Sequence, residues 1–78
     1  MAAPRPTRRD YHILGQRPGT SVARCVAAHA RLTRRYDPRC RPPDQQRLWI
    51  AAQDRLDEAL SLIVDCARFA AEDERVAA

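Results

Sequence analysis

Apolar residues recur at helical spacing in two separate stretches of this chain. The first stretch runs Val22, Cys25, Val26, Leu32 and Tyr36, with His29 on the same side. That is i, i+3, i+4, i+7 spacing, the mark of one helical face. Thr20 or Ser21 suits the N-cap, because a hydroxyl there accepts from a free backbone N–H of the first turn. Asp37-Pro38 stops the helix, since the residue before proline is pushed out of the α region. Ahead of this helix, Tyr11 to Leu14 is the one strand-like run, and it is too short to assign. Gly15 ends it, and Pro18-Gly19 reads as a turn.

The second stretch begins after a stiff connector carrying Pro38, Pro42 and Pro43. Pro43 or Asp44 belongs to the first turn of a helix, where proline loses no hydrogen bond and an acid is favoured. No Gly or Pro occurs from Asp44 to Ala78, and good helix formers dominate. One helix of about 30 residues is expected, roughly 45 Å long at 1.5 Å per residue. Trp49, Leu56, Ile63 and Ala70 recur every seven residues, with Ala52, Ala59 and Cys66 as a companion row. Leu60 and Ala67 widen this stripe on one flank, and Leu48, Leu62 and Phe69 widen it on the other.

The two helices differ in length, and that difference shapes the expected architecture. The first spans about 16 residues, roughly 24 Å. Joined by a short connector, the pair forms an antiparallel hairpin. The first helix then covers only the N-terminal half of the second. Trp49 and Leu56, with Val22, Val26 and Leu32, are the expected core anchors. Leu60, Ile63, Cys66, Phe69 and Ala70 overhang, as an expected partner interface. Three occupants are in view: the Tyr11–Leu14 segment folding back, a second copy completing a helical bundle as a homodimer, or a different protein. The fold expected is therefore all-α: a disordered basic arm over residues 1–19, then a helical hairpin domain over 20–78.

Charge divides the chain at the same place. Residues 1–42 hold ten Arg against Asp10 and Asp37, a net of +8. Residues 43–78 hold four Arg against eight acids, a net of −4. All the basic side chains are Arg, and with abundant Ala and Pro the composition is like that of small proteins of GC-rich bacteria or their phages. Arg8 and Arg9 on the arm, with Arg24, Arg31, Arg34 and Arg35 on the first helix, are candidate phosphate contacts, because the guanidinium fork matches phosphate. The alternative arrangement has these Arg facing solvent or pairing with acids of the long helix. Basic residues on an amphipathic helix also allow an anionic membrane surface as a further option.

Other chemistry finds little support. Cys25, His29, Cys40 and Cys66 offer a zinc ligand set in composition, but Cys40 and Cys66 fall at opposite ends of the expected hairpin. No metal or other cofactor is expected. The carboxylates Asp54, Asp57, Glu58, Asp65, Glu72, Asp73 and Glu74 fall on a polar helix face with no pocket to tune them for acid–base work. His12 and His29 have no carboxylate orienter near them in sequence, and the two Gly cannot cradle phosphate. No enzyme is expected. No stretch reaches the roughly 18 apolar residues of a membrane span, and the start has charge without an apolar region behind it. Three Cys at irregular spacing do not close a disulfide framework. These features set the expectation of a soluble cytoplasmic protein. Its expected role is a non-catalytic interaction module (adaptor, inhibitor or regulator) acting through the apolar stripe of the long helix. The alternative is nucleic-acid binding by the Arg-rich arm and first helix.

Overall fold

The computed structural model describes residues 5–77. It is mostly helical, with three α-helices packed on one another and no strand among the described residues. α1 spans Arg8–Ile13, α2 spans Val22–Arg35 and α3 spans Pro43–Ala77. A single 3-10 turn, Pro38–Cys40, lies between α2 and α3. No helix among the described residues is long and apolar enough to cross a membrane.

α1 corrects the expectation of a disordered arm over 1–19. Its signals are local rather than periodic. The Asp10 carboxylate accepts from the Thr7 N–H at 2.8 Å and from the Thr7 hydroxyl at 3.0 Å, which ties down the first turn. At the other end, Gly15 takes φ +65°, the left-handed region that glycine enters without a Cβ penalty. The Gln16 N–H then donates to the Tyr11 carbonyl at 2.9 Å, and the Gly15 N–H to the His12 carbonyl at 2.8 Å. This paired closure satisfies carbonyls that a six-residue helix would otherwise leave bare. Residues 1–4 of the expected arm lie outside the described residues.

α2 begins where the cap residue allows. The Ser21 hydroxyl accepts from the Arg24 N–H at 3.3 Å. Ahead of it, Gly19 at φ +85° and the bond from the Thr20 N–H to the Arg17 carbonyl, 3.1 Å, make the turn signalled by Pro18-Gly19. At the far end, Asp37 leaves the helix and caps the 3-10 turn, accepting from the Arg39 N–H at 2.9 Å and from its guanidinium at 3.0 Å. That guanidinium holds the Asp37 carboxyl below the usual carboxylate range.

The core is small. Leu14, Cys25, Leu56, Ala59 and Ile63 form the buried cluster, and Tyr11, Ile13, Val22, Leu32, Tyr36 and Leu60 pack around it. Ala28 is fully buried as well. Val26, expected as a core anchor, is 46% exposed. With Cys25 and Ala28 turned inward, the position beside Cys25 is carried to the flank of α2. Trp49 is only half-buried. It sits at the edge of the core, its ring 4.7 Å from that of Tyr36 and capped by the Arg41 guanidinium at 3.9 Å.

Three contacts describe how α2 lies along α3: His29 with Asp57, Thr33 with Gln53, and Tyr36 with Trp49. The residue number falls on α3 as it rises on α2. α1 packs on α3 as well, and Leu14, just past its end, is 1% exposed. The segment from Tyr11 to Leu14 thus joins the core that the sequence left partly uncovered.

Candidate partner-binding face of the long helix

The five residues expected to form the interface separate into two groups. Ile63 is 2% exposed and Leu60 is partly buried, both within or against the core cluster. Ile63 is therefore a core residue and not a free contact. The physical reason is the fold of α1, whose Tyr11, Ile13 and Leu14 enter the same cluster. Cys66 is half-buried, while Phe69 and Ala70 are exposed. From Ala67 to Val76 every residue of α3 is exposed.

What remains open is a row one flank further round the helix. Phe69 is 55% exposed and Leu62 is 45% exposed, and Val76 is also among the exposed large apolar side chains. Successive members are seven residues apart, so at about 100° per residue each lies roughly 20° round α3 from the one before, and the three span roughly 40°. Leu62 also lines a groove of ≈ 230 Å³ between α1 and α3, with Ile13 and Ala59 and with the charged Arg9, Asp10, Arg55 and Glu58. The apolar row therefore starts at the edge of a groove of mixed charge and continues along the exposed part of α3. Leu62 and Phe69 were visible in the sequence as the flank of the heptad stripe. Their exposure was not, because it depends on which side of α3 the other two helices occupy.

The Arg-rich surface is elsewhere. Arg8, Arg9, Arg24, Arg31, Arg34 and Arg35 are all exposed. Arg8 and Arg9 border one surface depression and Arg31 and Arg35 another, and Gln16 lines both. The two basic pairs therefore flank the loop after α1. Among the described residues Arg39 forms an ion pair with Asp37, and the His29 ring meets the Asp57 carboxylate. The candidate phosphate contacts have no carboxylate partner among these residues, so the expected alternative of pairing with α3 acids is not seen there.

His29 has the orienting carboxylate that local sequence did not provide. Its Nε2 lies 2.6 Å from the Asp57 carboxylate, 28 residues away. With Cys25 four residues before His29, the set has the membership of a Cys-His-Asp nucleophilic site. Its state is wrong for that chemistry. Cys25 is fully buried, its thiol faces the Thr20 carbonyl at 3.8 Å, and burial pushes its pKa up. A nucleophilic thiol needs the opposite shift. Cys40 is exposed in the 3-10 turn and Cys66 is half-buried on α3. No group of three or more His, Cys, Asp or Glu among the described residues is placed to hold a metal ion. No protein-family model, curated protein or solved structure matches this chain.

Proposed function

We propose that this chain is a non-catalytic helical interaction module, an adaptor, inhibitor or regulator built on an antiparallel α2–α3 hairpin braced by α1. It acts through the apolar row of α3. The observation that carries this reading is Phe69: a large aromatic side chain, 55% exposed, on a helix segment that no other element accompanies among the described residues. Phe, like Tyr and Trp, is enriched at protein interfaces relative to the rest of the surface. Leu62, two turns earlier, extends the same surface.

The test is the size of the assembly that contains the chain in its own cells. The wild-type chain is expected in a complex larger than itself on gel filtration of a fresh lysate. The Phe69→Asp variant is expected to elute at its own mass. Phe69 is largely solvent-exposed, so the variant keeps its fold. Identical elution of the two chains would refute the reading.

A second reading rests on the Arg-rich surface. Six exposed Arg without a carboxylate partner among the described residues, four of them flanking one loop, are suited to a phosphate backbone. Titration of a labelled 25-base-pair random duplex at several salt concentrations separates the two readings. Under this second reading, binding weakens steeply with salt, and replacing Arg31, Arg34 and Arg35 with Ala flattens the slope. Absence of binding at low salt would remove it.

A further inference from the structure

The apolar row of α3 has an acidic row beside it. Glu58, Asp65 and Glu72 precede Leu62, Phe69 and Val76 by four residues each. Asp65 and Glu72 also follow Leu62 and Phe69 by three. Residues three and four apart on a helix are surface neighbours. Each apolar side chain of the row therefore has a carboxylate directly beside it, and the two rows run in parallel at one repeat. All three acids are exposed, and none is in an ion pair among the described residues.

From this pairing of rows we propose that the docking face takes a basic amphipathic helix of another protein, with Phe69 at the centre of the contact. The inference rests on the interaction reading above and names the chemistry of its partner. Residues flanking an apolar helical seam set partner choice through their charge. A helix with an apolar face and Arg or Lys beside it places opposite charges against these three carboxylates, most fully at Asp65 and Glu72, since Arg9 and Arg55 share the groove of Glu58 and Leu62. A second copy of this chain does the reverse. Pairing the row with itself in antiparallel fashion puts Glu58, Asp65 and Glu72 of one chain along the same acids of the other. Like charges along a seam disfavour that pairing. The acidic row thus favours a foreign basic helix and discourages self-association by the same surface.

The experiment uses the full chain and three synthetic 21-residue helical peptides. Two carry the same Leu seam at heptad spacing, flanked by Arg in the first and by Glu in the second; the third is the Arg peptide with its Leu replaced by Ser. Fluorescence anisotropy of labelled peptide gives affinity, and NMR shifts report which residues of α3 respond. The Arg–Leu peptide is expected to bind at least about tenfold more tightly than either of the others at low salt, shifting residues 62–76. Phe69→Ala is expected to weaken it about tenfold.

Equal binding of the Arg–Leu and Glu–Leu peptides would overturn the charge assignment. So would binding of the Arg–Leu peptide that Phe69→Ala leaves unchanged, or shifts confined to residues outside 62–76. Sedimentation showing a dimer of the chain alone that Phe69→Ala dissociates would assign the face to a second copy and overturn the proposal. A larger assembly in cells that Phe69→Asp abolishes, without any preference for the basic peptide, would defeat this inference while leaving the interaction reading intact. Loss of both would defeat both.

Discussion

The Nε2 of His29 lies 2.6 Å from the carboxylate of Asp57, and this contact ties the middle of α2 to the middle of α3. The ring is largely covered, whereas the carboxylate stays mostly in solvent. Net hydrogen bonds of this sort contribute about 1 kcal/mol. Replacing His29 with Ala, Asp57 with Ala, and both together is expected to give single losses of about 1 kcal/mol each. The double variant should lose less than their sum. Urea unfolding of the four proteins measures this, and strict additivity would show that the two side chains do not interact.

This contact also shows what the sequence could and could not convey. Ser21 as cap, Asp37-Pro38 as stop and the Gly- and Pro-free run of α3 act through neighbouring backbone groups, so they are readable one residue at a time. Asp57 becomes the partner of His29 only through the register of two helices, which no local signal states. α1 lay between these cases. Thr7, Asp10 and Gly15 were local signals for its ends, but Tyr11, Ile13 and Leu14 are too few to show a helical period. Their value lies in filling space above Ile63 and Cys25. The same missing register hid which flank of α3 stays open, so Ile63 was expected at an interface and Leu62 was treated as its margin.

Leu14 is the test of how far α1 supports the core. It is 1% exposed within the buried cluster. Leu14→Ala is expected to cost about 3 kcal/mol, from lost burial and the cavity left behind. Against the roughly 5–15 kcal/mol of a typical domain that is a large share. Thermal or urea unfolding measures it. A loss below about 0.5 kcal/mol would mean that α1 does not dock on α3 in solution.

Gly15 closes α1 with φ +65°. A Cβ at this position would meet open space, so the penalty of substitution is purely conformational. Gly15→Ala is expected to cost about 1 kcal/mol, and Gly15→Asn less, since Asn tolerates the left-handed region. Equal stability of all three chains would show that the turn adopts another conformation.

The three thiols report on the same packing. Cys40 is exposed, Cys66 half-buried and Cys25 buried. Labelling with an aromatic disulfide reagent at pH 8 is expected to proceed in that order. Leu14→Ala should accelerate Cys25 alone. Burial holds the Cys25 pKa above its unfolded value. The native state therefore keeps this proton to higher pH than the unfolded chain does. The associated stability is full below the unfolded thiol pKa of about 8.5 and is lost as pH rises through the folded value. Cys25→Ala is expected to flatten the alkaline arm of the stability profile. An unchanged arm, or early labelling of Cys25, would contradict its burial.

Photo-crosslinking from position 69 in living cells tests the central claim most directly. Phe69 is replaced by benzoyl-phenylalanine, an aromatic of similar character, and exposed Arg47, far from the row, receives the same group as a control. The account predicts one discrete adduct with another protein from position 69, joined through a basic amphipathic helix of that protein, and no such adduct from position 47. Crosslinking only to a second copy of this chain, or no crosslink at position 69, would contradict it.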